Sequence, residues 1–294
     1  MKIDAPPWRE IHLPGLGPLR IRDSGPPGCE PDAPTILLIH GWTVSADLNW
    51  CRTYEPIARR ARVIAWDQRG HGPGGIRARG RMRMEDLADD AAAVVRALGV
   101  DRATAVGYSM GGAVAQAMWR RHPDLLDGLV LCATAMAYGL TAKERRDFAV
   151  MGASSLPARL AAAVGRNDLG WRAARWAGER QTGASMGIGD ADFHRWAWDE
   201  TKAGSLDHVL RAAWNLGRFD SSDWIHEVDV AHAVVICGDD DVVPTARQRQ
   251  LAHALPDATI VEIDADHSAC VRRPDLFIPA LGRALDAVHG PAQQ

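Results

Sequence analysis

Ala103-Thr104-Ala105-Val106-Gly107-Tyr108-Ser109-Met110-Gly111-Gly112, running on through Ala113 to Met118, is the stretch that decides the fold. An apolar run of strand length meets a serine with glycine two residues away on each side. It then gives way to apolar residues at helical spacing: Met110, Ala113, Val114, Ala117 and Met118. A chain that passes this abruptly from strand to helix crowds its own backbone, so small residues are required two before and two after the serine. Ser109 is then predicted at the tip of the turn, hydroxyl exposed, in a strained conformation that packing must hold. The helix starts beneath it and aims unpaired amides and the positive end of its dipole at the same spot.

Outward from this junction the chain alternates. Thr35 to Ile39 is wholly apolar, as expected of a strand buried on both faces of a parallel sheet, and it ends in His40-Gly41-Trp42. Val63 to Trp66 is a second such strand, closed by Asp67-Gln68-Arg69-Gly70-His71-Gly72. Met84 to Leu98 carries Leu87, Ala91, Val94, Val95 and Leu98 on one helical face, with Gly99 just past its end. His122-Pro123 stops the helix that follows Ser109. Further strands are predicted at Leu129–Ala133, Ala233–Cys237 and Thr259–Ile263, and helices at Thr245–Leu255 and Pro274–Val288. Residues 8 to 23 suggest an opening hairpin about Pro14-Gly15-Leu16-Gly17-Pro18, and Ser24 to Pro34 a loop. The class is α/β, a mostly parallel, doubly wound sheet with helices on both faces. Between 137 and 227 the alternation stops and the sequence turns helical with glycine breaks. Residues 1–136 and 228–294 are therefore assigned to one core, and 137–227 to an inserted helical cap.

Bulk properties narrow the function. The chain has 294 residues, 47% hydrophobic and 24% charged, with a net charge of −3 that gives no support to nucleic-acid binding. No apolar run approaches the length of a membrane span. The N-terminal Met1 to Pro7 lacks the apolar core of a signal peptide. The five cysteines, Cys29, Cys51, Cys132, Cys237 and Cys270, form no C-x-x-C pair and suggest reduced thiols in a cytoplasmic protein, with no metal site. Oligomeric state is left open, a homo-oligomer included.

In an open parallel sheet, ligands gather at the carboxyl ends of the strands. The residues there are Gly41-Trp42, Asp67, Ser109, Asp239-Asp240-Asp241 and Asp266-His267. A serine, an acid and a histidine in that order can assemble a nucleophilic triad. The serine hydroxyl needs an imidazole to take its proton, and the imidazole needs a carboxylate on its other nitrogen. A developing oxyanion needs two preset donors, for which the backbone amides of Trp42 and Met110 stand in the expected places.

On His40-Gly41-Trp42, Asp67 to Gly72, Gly107 to Gly112, Asp240 to Pro244 and His267, the sequence resembles the α/β-hydrolase superfamily over nearly its whole length outside the insertion. The resemblance implies Ser109 as nucleophile, His267 as base, and Trp42 with Met110 as oxyanion hole. It departs from the family in having Asp266, not glycine, before the histidine. The acid is Asp240 counting back four from Pro244, or Asp241 counting three on from Gly238, and the register of the following helix favours Asp240. Gly41, Tyr108 and Met136 are assigned to substrate binding, with Tyr138 and Met186 as further candidates for an apolar pocket. The expected activity is cofactor-independent cleavage of a small, apolar acyl substrate, first a carboxylic ester, through an acyl-enzyme. Carbon–carbon bond hydrolysis or perhydrolysis on the same triad, and a low-turnover binding module, are the alternatives.

Other conspicuous residues receive structural readings. His40 and His71 are expected to be hydrogen-bonding supports, and Asp67 and Arg69 to hold their loop. The arginines at 77, 79, 81 and 83 are expected on a solvated face. Six of the eleven tryptophans fall in the insertion, where they are expected to form a small core.

Overall fold

The computed structural model describes residues 3–26, 33–76, 80–182 and 191–290. Cys29, Arg77, Arg79 and Met186 lie outside them, as does the side chain of Trp176. Eight strands form one sheet: β1 (Trp8–Leu13), β2 (Gly17–Asp23), β3 (Thr35–Ile39), β4 (Arg62–Trp66), β5 (Ala103–Tyr108), β6 (Leu126–Cys132), β7 (Ala231–Cys237) and β8 (Thr259–Ile263). Their order is β1-β2-β4-β3-β5-β6-β7-β8. β1 and β2 join antiparallel at one edge, and the strands from β4 to β8 run parallel.

Both faces of the sheet are covered, which is why its strands are apolar without interruption. Along β3, Leu37 and Ile39 join a core with helices α3 (Met84–Ala97) and α4 (Met110–Arg121). Ile36 and Leu38 face the other way, into a core with Trp50 and Tyr54, from the short helices α1 (Ala46–Trp50) and α2 (Tyr54–Ala58), and with Phe277 and Leu281. The chain crosses from β3 to β4 on one side and later returns to β5 on the other, so the sheet changes winding direction at β3. In open parallel sheets that is the place where ligands bind, outside the carboxyl ends of the strands.

Between β6 and β7 the chain leaves the sheet through α5 (Ala142–Ala163), α6 (Asn167–Thr182), α7 (Ala191–Ala203) and α8 (Leu206–Leu216). α8 is amphipathic and buries Leu206, Val209, Ala212, Ala213 and Leu216. α5 lies along α8, with Phe148 over Gly217 and Trp214 over Gly152. Trp171 is buried with Ala158, Leu206 and Val209, whereas Trp224 stacks on Trp119 of the main core. Polar contacts help seat the inserted helices on the sheet domain. The Ser205 amide donates 2.8 Å to the Gly70 carbonyl, and Ser45 Oγ donates 2.6 Å to Glu200 Oε2. After β7 come α9 (Thr245–Ala254), α10 (Ala269–Arg272) and α11 (Pro274–His289). Among the described residues no helix is long and apolar enough to cross a membrane, and Cys51, Cys132, Cys237 and Cys270 are free and buried.

Candidate active site

Parallel register builds the site. Ile39 of β3 pairs with Gly107 of β5, so His40-Gly41-Trp42 emerges beside Tyr108-Ser109. The turn closes only because its glycines have no side chains. A Cβ on Gly107 would overlap the Gly111 carbonyl, one on Gly111 the Ile39 carbonyl, and one on Gly112 the Thr134 side chain. Ser109 sits between them at φ +54°, ψ −119°. It is held there by its amide on the Cys132 carbonyl (2.9 Å) and by Gly112 N–H (2.9 Å) and Thr134 Oγ1 (2.8 Å) donating to its own carbonyl.

Three side chains from three separate turns meet. His267 Nε2 lies 3.0 Å from Ser109 Oγ, and His267 Nδ1 lies 2.6 Å from Asp240 Oδ2. With Nδ1 facing the carboxylate as the ring's donor, Nε2 is the acceptor that faces Ser109 Oγ. Asp240 is buried. Its Oδ1 accepts the Val242 and Val243 amides at 2.9 and 2.8 Å, and Gln248 Nε2 donates 2.8 Å to its Oδ2. Asp241, the other acid considered, is exposed to solvent, as is Asp239. Asp266, where the family has glycine, faces outward: it accepts the Ser268 amide at 2.8 Å and pairs with Arg272 at 3.1 Å.

Two backbone amides border Ser109. Met110 is the first residue of α4, so its N–H is one of the four that the helix leaves without an internal partner. On the other side, a Cβ on Gly41 would stand 3.4 Å from Ser109 Cβ, which brings the Gly41-Trp42 peptide alongside the serine. Gly41 N–H donates 2.8 Å to Asn49 Oδ1, and its carbonyl lies 2.7 Å from His40 Nδ1. His40 Nε2 accepts the Gln68 amide at 2.8 Å, so this ring is neutral, and burial holds its pKa down at about 3. Asp67 spans its loop, accepting the Ala46 and Gly74 amides, and burial pushes its carboxyl up to about 7. Arg69 donates to Asp90 on α3 through Nε and Nη2.

Of the residues assigned to substrate binding, Gly41 lies against Ser109, whereas Met136 is half-buried against the main core. Tyr108 is elsewhere: its ring is buried among Trp50 and Phe277, with its hydroxyl donating 2.8 Å to the His267 carbonyl. Tyr138 is likewise tied up, its hydroxyl 3.0 Å from Thr134 Oγ1. Asn49, Thr134 and Gln248 support the site and carried no signal in the sequence, because an amide or hydroxyl in a helix or loop has no chemistry until its partners are known.

The comparisons agree with this architecture. Residues 34–274 match the family model for the alpha/beta hydrolase fold. RutD of Agrobacterium fabrum, assigned to carbamate hydrolysis, is 29% identical over 248 residues, 84% of this chain and 90% of its own length. The bifunctional esterase/perhydrolase DCH of Acinetobacter calcoaceticus is 40% identical over 94 residues, 32% of this chain and 33% of its own. The crystal structure of the enol-lactonase from Burkholderia xenovorans superposes with a TM-score of 0.72 at 22% identity, covering 96% of this chain and 100% of its own. The chain belongs to the α/β-hydrolase fold family.

Proposed function

We propose that this protein is a serine hydrolase that cleaves a carboxylic ester through an acyl-enzyme on Ser109. The observation that carries the reading is the unbroken line Ser109 Oγ–His267 Nε2 (3.0 Å), His267 Nδ1–Asp240 Oδ2 (2.6 Å), set on a strained turn. Ser109 Oγ attacks the acyl carbon as its proton passes to His267 Nε2. The carbonyl oxygen becomes an oxyanion facing the Trp42 and Met110 amides. Collapse expels the alcohol, which takes the proton from His267. Water then attacks the acyl-enzyme, giving a proton to His267 that returns to Ser109 as the acid leaves. Asp240 stabilises the imidazolium that forms in each half.

Carbamate cleavage is the second reading, favoured by the relative aligned over 84% of the chain. It uses the same attack on a carbonyl with a nitrogen or oxygen leaving group. A panel of aryl esters of graded acyl length, simple carbamates, a vinylogous diketone and peroxide with a carboxylic acid separates these from carbon–carbon hydrolysis and perhydrolysis. Wild type is expected to turn over the esters fastest and to take a fluorophosphonate on Ser109. Absence of any adduct would favour the binding module.

A further inference from the structure

The Gly41-Trp42 segment, which carries one candidate oxyanion donor, has three anchors. Two belong to the sheet domain: Asn49 Oδ1 of α1 accepts the Gly41 amide at 2.8 Å, and His40 Nδ1 meets the Gly41 carbonyl at 2.7 Å. The third comes from the inserted helices. Trp42 Nε1–H donates 2.7 Å to the Val209 carbonyl of α8, across 167 positions of sequence. The indole packs against the small apolar cluster of Ala158, Trp171, Leu206 and Val209. On its far side Thr43 takes φ +68°, which a β-branched residue adopts only when its surroundings impose it. α8 itself is firmly placed, because the Ser205 amide at its start is bonded to the Gly70 carbonyl and a Cβ on Gly70 would overlap His208.

We propose that Trp42 is a positioning residue through its indole: the ring N–H fastens the donor peptide to α8, so the seating of the inserted helices sets the aim of the Trp42 amide at the oxyanion. This rests on the serine-hydrolase reading above. The same residue supplies the donor by its backbone and the tether by its side chain, so a shift of α8 is passed to the donor within one residue. A displacement of about 1 Å at such a group can cost on the order of 100-fold in rate.

The test compares wild type with Trp42→Phe and with a variant carrying 3-benzothienylalanine at position 42, which keeps the bicyclic ring and removes its N–H. Active sites are first counted by fluorophosphonate titration, so that kcat refers to folded, reactive serine. The bond is expected to be worth about fivefold to tenfold. Both variants should lose that factor in kcat and in affinity for an aryl trifluoromethyl ketone, whose hemiketal oxygen occupies the oxyanion site. KM and affinity for the product carboxylate should stay within about twofold. A benzothienylalanine variant with wild-type kcat per titrated site and wild-type ketone affinity overturns the proposal, whatever its melting temperature. Wild-type protein that fails to take the fluorophosphonate overturns the serine-hydrolase reading itself, and this inference with it.

Discussion

The hydroxyl of Tyr108 donates 2.8 Å to the main-chain carbonyl of His267, and the two rings meet edge to face with centroids 5.8 Å apart. Tyr108 immediately precedes Ser109, so one dipeptide holds the candidate nucleophile by its backbone and the loop of the candidate base by a side chain. Tyr108→Phe keeps the ring against Trp50 and Phe277 but leaves that carbonyl without its donor. Stability is expected to fall by about 1 kcal/mol and kcat by about tenfold as His267 loses its fixed aim. The ratio of KM values for short and long acyl esters should not change, because the ring is buried against Trp50 and Phe277. A changed ratio, measured on a graded ester series, would restore Tyr108 to the substrate pocket.

Asp240 and Asp241 are neighbours with opposite surroundings, and single asparagine variants separate them. Asp240→Asn replaces an acceptor by an amide that can present a donor to His267 Nδ1, favouring the wrong tautomer. A loss of about 10⁴ in kcat is expected, with little change in folding. Asp241→Asn alters an exposed group and should stay within about twofold of wild type in the same ester assay. The reverse outcome would move the acid to Asp241 and require the turn after β7 to be rebuilt.

What the sequence made legible follows from how locally each feature is encoded. Thr35–Ile39 and Thr259–Ile263 are bounded runs whose length and β-branched content suffice to mark strands, and both match the structure to the residue. The glycines around Ser109 are equally explicit, since each removes a clash that any other residue would create. α1 and α2 escape notice because five residues are too few to display a helical period; Ser45 Oγ caps α1 by accepting the Leu48 amide. α5 falls within the insertion expected to be helical, but its bounds do not show: Val150, Leu156 and Leu160 are exposed while Ala158 is buried, so apolar residues occupy both sides and no stripe appears. At the site, chemistry-bearing types could be gathered at the strand ends, but their supports could not. Gln248 on Asp240, Asn49 on Gly41 and Thr134 on Ser109 are contacts between segments far apart in sequence, visible only when the chain is folded.

Three buried titratable groups near the site give stability an acid limb with calculable signs. Burial holds His40 at about 3 and His71 at about 4, both below the ordinary 6.5. His71 Nε2 is buried with no hydrogen-bond partner among the described residues, so a proton there would be an unpaired buried charge. Each histidine favours the fold fully above pH 6.5 and loses that contribution as pH falls through its folded value. Asp67 has the opposite sign. Raised from 3.8 to about 7, it favours the fold fully below 3.8 and loses this as pH rises through 7. Between about pH 4 and 6.5 the two histidines outweigh the single acid. Asp67→Asn removes the opposing contribution and should steepen the loss of stability on acidification by up to about 1.4 kcal/mol per pH unit. His71→Asn should flatten it. Urea unfolding at half-unit steps across this range decides the matter; a slope for Asp67→Asn no steeper than wild type would mean that Asp67 is ionised in the fold throughout.

The last test concerns what the turn at Ser109 costs. At φ +54°, ψ −119° a side chain crowds its own backbone, and such a conformation costs about 1 to 3 kcal/mol in a residue other than glycine. The neighbouring bonds from Thr134 and Gly112 and to Cys132 sustain it. Ser109→Ala retains the Cβ, and with it the strain, so stability should stay within about 0.5 kcal/mol of wild type while turnover and fluorophosphonate labelling vanish. Ser109→Gly removes the Cβ. It also frees the unfolded chain, at a cost of about 0.5 to 1 kcal/mol. The relief should exceed that cost, leaving the glycine variant about 1 kcal/mol more stable than the alanine variant in parallel denaturant titrations. Both variants lack the hydroxyl, so their difference isolates the strain from the chemistry. A glycine variant that is the less stable of the two would show that the surrounding bonds, not the strain, dominate at this turn.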